Sequence, residues 1–201
     1  MAGQLGIVEL LGLAASLSLL SGWRFYLCMM ATGLAMHLGA LPLPSHLSAL
    51  QVLANPWLIG AAGFAALCEF AADKVAWLDS VWDGIHTLIR PLGGALLALA
   101  VIDPADPAMQ AIAFVLGGGG ALLAHGSKAG TRAVVNASPE PFSNIAVSGS
   151  EDAIAAGLLY LIYHYPGVAA GIAALLLATM IVLLALARRL FRRAFASAPP
   201  P

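Results

Sequence analysis

The feature that most constrains this chain is Gly167–Ala187, a run of 21 residues without one charged side chain. A helix needs about 20 apolar residues to cross the hydrocarbon core of a bilayer. Two of the other apolar segments, Pro91–Ile102 and Ala153–Tyr165, are short. They are either tilted into a thinned region, partial spans, or extended by flanking polar residues that face protein rather than lipid. The complete set upstream is Leu5–Leu20, Trp23–Leu41, Pro56–Ala72, Pro91–Ile102, Ala108–Ala124 and Ala153–Tyr165.

The scarcity of charged residues also indicates a membrane protein. Of the 201 residues, 61% are hydrophobic and 9% are charged, whereas soluble domains carry about 25% charged residues. We therefore predict an all-α integral membrane protein with six to seven transmembrane helices, in a single transmembrane domain over residues 1–201. The bilayer is its predicted partner, and homo-oligomerisation stays open.

Other partners and cofactors find no support in the sequence. The balanced net charge of −1 argues against nucleic acid. Cys28 and Cys68 lie in apolar runs without a CxxC or Cys/His grouping, which argues against disulfides and zinc. No cofactor is predicted.

The basic residues predict an orientation. Arg188–Arg193 reads RRLFRR, so the positive-inside rule makes the tail 188–201 cytoplasmic. Alternating spans place the uncharged Pro42–Asn55 and the acidic Asp103–Asp106 outside. This predicts a multi-pass protein of the inner (plasma) membrane, with its N-terminus outside and its C-terminus in the cytoplasm. The short turn Ser21–Arg24 leaves one alternative, a single long first helix kinked at Gly22.

Two pairs of motifs recur at nearly equal offsets. Gly22-Trp23-Arg24 and Gly130-Thr131-Arg132 are 108 positions apart, and Asn55-Pro56 and Tyr165-Pro166 are 110 positions apart. This spacing predicts two three-helix halves, residues 1–90 and 107–190, joined by the helix 91–102; parallel repeats of this kind occur in small transporters. Chance similarity between Ala/Gly-rich helices is the alternative.

Acidic residues interrupt the apolar sequence near Cys68. Glu69 and Asp73 are four residues apart and share a helix face, with Lys74 adjacent. Ionisable groups inside membrane segments normally face a cavity or a partner. One interpretation is a proton or cation site at Glu69; the other is a structural ion pair with Lys74, Lys128 or Arg132.

Four polar residues follow at helical spacing. Asp79, Asp83, His86 and Arg90 form one narrow stripe, which predicts an amphipathic helix in the cytoplasmic interface or packed beneath the bundle. Asp79, Asp83 and His86 could ligate a divalent metal ion. A solvated polar face explains the stripe equally well.

The longest polar stretch runs from His125 to Asp152. We expect a helix that carries His125, Lys128, Arg132 and Asn136 on one face, then an extended segment after Ser138, then a helix capped at Ser150 with Glu151 and Asp152 in its first turn. Such a segment would line a cavity; an ordinary cytoplasmic loop is the alternative. We predict that Lys128 and Arg132 pair with Glu69 or Asp73.

A run of glycines and the absence of catalytic motifs limit the functions that the sequence supports. Gly117–Gly120 weakens a helix, so these residues serve either close helix packing or a hinge. The chain has no Gly-Lys-Ser/Thr phosphate loop and no GxSxG, HExxH or SxxK nucleophile motif, so enzymatic activity is not favoured.

Two segments resemble a known family. CEFAADKVAWLDSVWDGIHTLIRPLGGALLA and HGSKAGTRAVVNASPEPFSNIAVSGSED are similar to the two signature blocks of an uncharacterised bacterial membrane family, domain of unknown function 4126. The resemblance implies a multi-pass membrane protein and no particular activity.

The leading functional hypothesis is a small transporter or channel for an ion or small molecule. A lipid-headgroup enzyme, with Lys128 and Arg132 on the phosphate and Asp79 and Asp83 on a metal, and a non-catalytic membrane scaffold are the alternatives. The predicted polar pathway contains Glu69, Asp73, Lys74, His125, Lys128, Arg132, Asn136, Glu151 and Asp152.

Overall fold

The computed structural model describes residues 7–40, 51–99, 107–137 and 141–196, which form seven α-helices and no β-strand. The all-α fold class is confirmed for this part of the chain. The helices are α1 (Ile7–Trp23), α2 (Phe25–His37), α3 (Pro56–Ala72), α4 (Ala76–Leu99), α5 (Pro107–Asn136), α6 (Pro141–His164) and α7 (Pro166–Ala196).

Four helices begin at a proline, namely α3, α5, α6 and α7. Proline suits this position because the first N–H groups of a helix have no intrahelical acceptor. At the start of α3 the Asn55 side chain also accepts a 2.9 Å hydrogen bond from the Trp57 amide, which caps the helix. The predicted helix starts at Pro56 and near Pro166 are therefore confirmed.

Helix α4 continues through Pro91, so the prediction of a separate segment 91–102 is wrong. Pro91 has no N–H to donate to the Thr87 carbonyl, which weakens the helix at that point. Packing compensates for this loss, because Gly93 and Gly94, just beyond the proline, lie in close contact with neighbouring helices. The predicted polar stripe and the apolar segment after it are one helix; residues 100–102 lie outside the described part.

Helix α6 begins at Pro141 and runs to His164, so the predicted extended segment up to Ser150 is wrong. The predicted span Ala153–Tyr165 covers the second half of this helix and ends one residue beyond it. Of the alternatives for a short segment, extension by the flanking polar residues is the one that α6 adopts. Residues 138–140 lie outside the described residues, as do residues 42–50 of the predicted outer loop Pro42–Asn55 and the whole of Asp103–Asp106.

The first two helices are separated by one residue, Arg24, whose backbone is non-helical with φ −138° and ψ 70°. The break lies at Arg24 and not at Gly22, so the alternative of one helix kinked at Gly22 is not adopted. Asn55-Pro56 and Tyr165-Pro166 both open helices, but Arg24 lies at a break whereas Arg132 lies inside α5. The internal repeat stays a prediction.

Glycines allow α1, α4 and α5 to pack closely. The Ser18 hydroxyl of α1 donates to the Gly94 carbonyl of α4 at 3.0 Å. A Cβ on Gly117 would overlap Ala98 and the Gly94 carbonyl oxygen, and α5 is continuous through Gly117–Gly120. Gly117 and Gly118 therefore serve close packing, whereas a Cβ at Gly119 would meet nothing within 4 Å; because the helix is continuous, the hinge alternative is not supported.

We expect Gly117→Ala to lower the free energy of unfolding by about 1–3 kcal/mol, because the added methyl group overpacks this contact. Gly119→Ala is the matched control, since a Cβ at Gly119 meets nothing within 4 Å and alanine favours the helix by up to about 1 kcal/mol. Denaturation of both variants in detergent would test this. Equal stability of the two variants would contradict the close packing.

The distribution of side chains reverses that of a soluble protein. The largest fully buried side chains include Arg90, Arg132 and Lys128, while Trp57 is 87% exposed and Val134 is 77% exposed. In the part of the chain that the structure describes, two helices are long and apolar enough to cross a membrane, Pro107–Asn136 and Phe142–His164; Phe25–His37, Pro56–Ala72 and Pro166–Val182 are shorter apolar helices.

Candidate functional site

Charged side chains from five parts of the fold meet inside the bundle, and we call this set the charge network. Arg24 precedes α2, and Glu69 and Asp73 lie at the end of α3. Lys74 lies in the turn that follows, and α4, α5 and α6 supply the other members. Lys74 and Asp152 are 26% and 25% exposed, and the other members are buried. The network contains Arg24, Glu69, Asp73, Lys74, Asp79, Asp83, Arg90, Lys128, Arg132, Glu151 and Asp152.

Arg90 organises the deepest part of the network. Its two terminal nitrogens donate to Glu69 Oε1 at 2.6 Å and to Asp83 Oδ1 at 3.0 Å. One of them also lies 2.7 Å from His125 Nδ1. A planar guanidinium suits this position because it offers several donors in a fixed fork, which the point charge of lysine does not.

The hydrogen-bond contacts of His125 show which of its ring nitrogens carries the proton. Arginine can only donate, so His125 Nδ1 accepts from Arg90 and the ring proton lies on Nε2. Nε2 is 3.1 Å from the Thr87 hydroxyl, which itself donates to the Asp83 carbonyl at 2.9 Å. His125 is therefore a neutral imidazole in this arrangement, buried between α4 and α5.

Asp73 is the hub of the middle part. It follows the last residue of α3 and is fully buried. Its carboxylate accepts from Lys128 Nζ at 3.0 and 3.1 Å and from Arg24, and its backbone carbonyl accepts from Arg132. Lys128 also lies 3.8 Å from Asp83, which links the middle part to the deep part.

The network reaches the surface at α6. Arg24 lies 2.6 Å from Asp152 and 3.7 Å from Glu151. Lys74 donates to Asp152 at 3.1 Å and to the Ser148 hydroxyl at 2.7 Å. The result is one continuous series of alternating sign from the partly exposed edge to the core, in the order Asp152, Arg24, Asp73, Lys128, Asp83, Arg90, Glu69.

A side branch joins the ends of α4, α5 and α6. Arg132 Nε donates to Asp79 Oδ2 at 3.1 Å, and Asn136 donates to the same oxygen at 2.7 Å. Arg132 also donates to the Asn144 carbonyl at 3.1 Å, and the Asn144 side chain donates to Asn136. This branch ties the start of α6 to α4.

Three buried carboxylates each keep one oxygen without a hydrogen-bond partner in the described structure. The oxygens are Glu69 Oε2, Asp79 Oδ1 and Glu151 Oε2. Buried polar atoms normally find a partner, and each exception needs an explanation such as a function or a bound ion or water. A carboxylate oxygen can accept a proton or a hydrogen bond, and one of the three, Glu151 Oε2, also lies 3.7 Å from Arg24 Nη2.

Within the described residues, Asp79, Asp83 and His86, the three predicted metal ligands, each bond to other partners. Asp79 bonds to Arg132 and Asn136, and Asp83 bonds to Arg90. His86 Nδ1 faces the Trp82 carbonyl at 2.7 Å, so Nε2 accepts from the Tyr26 hydroxyl at 2.9 Å. Within the described residues, no group of three His, Cys, Asp or Glu side chains could hold a metal ion.

The polar stripe of α4 is buried. Asp79, Asp83, His86 and Arg90 share one face as predicted, but that face meets α3, α5 and the start of α2. The alternatives of a solvated face and of a helix lying in the interface with this face in water are therefore wrong. The four buried side chains of the stripe need hydrogen-bond partners, and α2, α3 and α5 supply them.

The sequence predicted most members of the site but only some of their pairings. All nine predicted pathway residues belong to the network or bond to it, and the pair between Lys128 and Asp73 is confirmed. Arg132 pairs with the Asp79 carboxylate and reaches only the backbone carbonyl of Asp73. Glu69 pairs with Arg90, which is none of the three partners considered for it.

Four contributors were not predicted as site residues, namely Arg24, Arg90, Asn144 and Ser148. In the sequence, Arg24 belongs to a repeat motif and a short turn, and Arg90 completes the polar stripe. The signal that could have identified them was their place beside apolar segments, where a buried cation needs a carboxylate partner. Asn144 and Ser148 lie where an extended segment was expected.

A separate apolar pocket lies between α1, α5, α6 and α7, and it does not touch the charge network. Its walls include Leu20, Trp23, Ile162, Ala173 and Met180.

The comparisons with known proteins give a family and no function. A family model described as a domain of unknown function, DUF4126, matches residues 11–186. No curated protein and no solved structure matches the chain.

Proposed function

The chain belongs to the DUF4126 family, and we propose that it is an integral membrane protein that conducts or transports protons or another small cation through its charge network. The observation that carries this proposal is the continuous series of alternating charges from the partly exposed Asp152 to the buried Glu69, whose second oxygen has no hydrogen-bond partner among the described residues. Ionisable groups inside a membrane protein normally mark an ion pathway or a proton relay.

The reversed burial supports the membrane placement. Large apolar side chains cover the surface, for example Trp57, Leu88 and Val134. Each square ångström of apolar surface exposed to water costs about 25 cal/mol, and this cost disappears when the surface faces lipid. The spans α5 and α6, flanked by the shorter apolar helices α2, α3 and the first part of α7, support a multi-pass arrangement.

We infer from the basic residues that the charge-network end faces the cytoplasm, with the N-terminus outside. Single cysteines at Ser48, Ala105 and Arg193 of a variant lacking Cys28 and Cys68 would be labelled with an impermeant thiol reagent on intact cells. Positions 48 and 105 should react and position 193 should not. Reaction at position 193 without permeabilisation would reverse the orientation.

Transport would be tested in proteoliposomes that contain the pH-sensitive dye pyranine, with a potassium gradient and valinomycin to drive proton entry. We expect faster acidification than in empty liposomes, and Glu69→Gln should reduce it to near the empty-liposome rate. Cys68→Ser, a change outside the network, should leave it intact. If protons, Na⁺ and K⁺ all enter no faster than in empty liposomes, the protein does not transport these ions.

A membrane scaffold is the second candidate, and one observation favours it. Most network charges are paired with one another, and the apolar pocket does not reach them. A static ion-pair lock would hold the helices together without passing an ion. The lipid-headgroup enzyme is less favoured, because Lys128 and Arg132 are engaged by Asp73 and Asp79 and the described residues contain no metal cluster beside them.

A further inference from the structure

The seven helices do not pack equally closely. Helices α1, α4, α5 and α7 form one group in which α4 packs against α5, and α1 packs against α4, α5 and α7. We call this group the four-helix core. Helices α2 and α3 pack mainly against each other and much less against the core; we call them the α2–α3 hairpin.

The hairpin joins the core at two short connections that lie at the same end of the bundle. One is Arg24, the single non-helical residue between α1 and α2. The other is the three-residue turn 73–75 between α3 and α4. Both connections carry members of the charge network, since Arg24 bonds to Asp73 directly. The network therefore lies at the natural pivot of the hairpin.

Ion pairs hold the hairpin at this pivot. Glu69 pairs with Arg90 of α4 at 2.6 Å, and Asp73 pairs with Lys128 of α5 at 3.0 Å. A change in the charge of Glu69 would leave Arg90 without one of its partners and would weaken a contact that holds α3 against α4. The site of ion uptake and the pivot share the same residues.

Farther along the hairpin, one buried hydrogen bond links it to α6. The Tyr163 hydroxyl donates to Thr32 Oγ1 at 2.8 Å, and the Thr32 hydroxyl donates to the Cys28 carbonyl at 2.7 Å. Thr32 lies eight residues beyond Arg24, which places it about 12 Å along the helix axis from the pivot. Around it the contacts are apolar, including Leu27, Ala31 and Leu53 against Leu159 and Ile162.

We propose that the α2–α3 hairpin is a lid that pivots at Arg24 and residues 73–75, and that the Tyr163–Thr32 hydrogen bond is its latch. Opening moves the end of the hairpin near residues 38 and 57 away from α6 and α7. The charge network stays at the pivot, so a change in its ion pairs changes the angle of the lid. The role of the lid as a gate for ions rests on the proposed function. The movement of the lid does not depend on that function.

Double electron–electron resonance between two spin labels would measure the movement. Leu38→Cys at the end of α2 and Val168→Cys at the start of α7 give exposed labelling sites, in a Cys68→Ser background. Cys28 is also replaced by serine, because it lies in α2 and its thiol would become accessible to the label when the hairpin opens. A control pair, Ile112→Cys on α5 with Val168→Cys, lies within the four-helix core.

We expect Tyr163→Phe to raise the population at longer Leu38–Val168 label distance about fivefold, the change that corresponds to a net hydrogen-bond contribution of ~1 kcal/mol. Tyr160→Phe, a matched change at an exposed tyrosine of the same helix, should leave the distances unchanged. The core pair should keep one narrow distance in every variant.

Two results would overturn the lid. In one, Tyr163→Phe leaves the Leu38–Val168 distances unchanged; in the other, the core pair broadens as much as the hairpin pair, which indicates general loosening. The proteoliposome assay decides separately whether ions pass, so a moving lid without ion flux would reject transport and leave the hinge in place.

Discussion

Replacement of Arg90 by methionine should lower the free energy of unfolding by about 3–5 kcal/mol, one of the two largest effects expected in this protein. Methionine keeps much of the length of the side chain but leaves Glu69 and Asp83 without their main cationic partner. An uncompensated buried charge costs far more than the loss of packing area. Unfolding by SDS titration in mixed micelles would measure the difference.

Arg189→Met is the matched control, because Arg189 is exposed near the end of α7, and such a change should shift stability by less than about 0.5 kcal/mol. Adding Glu69→Leu to Arg90→Met should recover part of the loss, since it removes one of the unpaired carboxylates. Arg90→Lys should fall between wild type and Arg90→Met. Equal stability of the Arg90→Met and Arg189→Met variants would show that Arg90 is not a structural centre.

The second large effect is expected at Lys128 and Asp73. Each single alanine substitution should destabilise the protein by about 3 kcal/mol or more, because each leaves a buried partner unpaired. The double variant should lose less than the sum of the two, with a coupling energy of about 1–3 kcal/mol. A double-mutant cycle in the same SDS titration would give this value directly.

Two further double-mutant cycles show whether strong coupling is limited to the buried pairs. Arg132 and Asp79 are in contact at 3.1 Å and should also couple. Lys74 and Asp152 are each about a quarter exposed, so their coupling should not exceed about 1 kcal/mol. Coupling below about 0.5 kcal/mol for both buried pairs would show that the end of α3, α4 and α5 are energetically independent.

The sequence located the polar groups because their positions follow from local rules. Asp79, Asp83, His86 and Arg90 share a face through helical periodicity alone, as do His125, Lys128 and Arg132. It could not give the pairings, because these depend on how the helices are rotated and shifted against each other. Glu69 meets Arg90 across 21 positions of the chain, and Lys128 meets Asp73 across 55.

Local signals also failed where packing outweighed them. Pro91 predicted a helix boundary, but the close approach of Gly94 to Gly117 lets α4 continue past it. The polar residues 141–150 predicted an extended segment, but as a helix they place Asn144 and Ser148 next to Arg132 and Lys74. In both places tertiary contacts contribute more than the local preference.

The sequence by itself determined the helical class, the apolar exterior and the two polar helix faces, because hydrophobic content and the helical period act within one segment. Only the tertiary structure decided that Arg24 and Arg90 enter the interior, that Asp73 is the shared acceptor, and that the hairpin meets the core at the charge network. The physical reason is that a buried charge is stabilised only by a partner at about 3 Å, and the position of that partner is set by the packing of several helices at once.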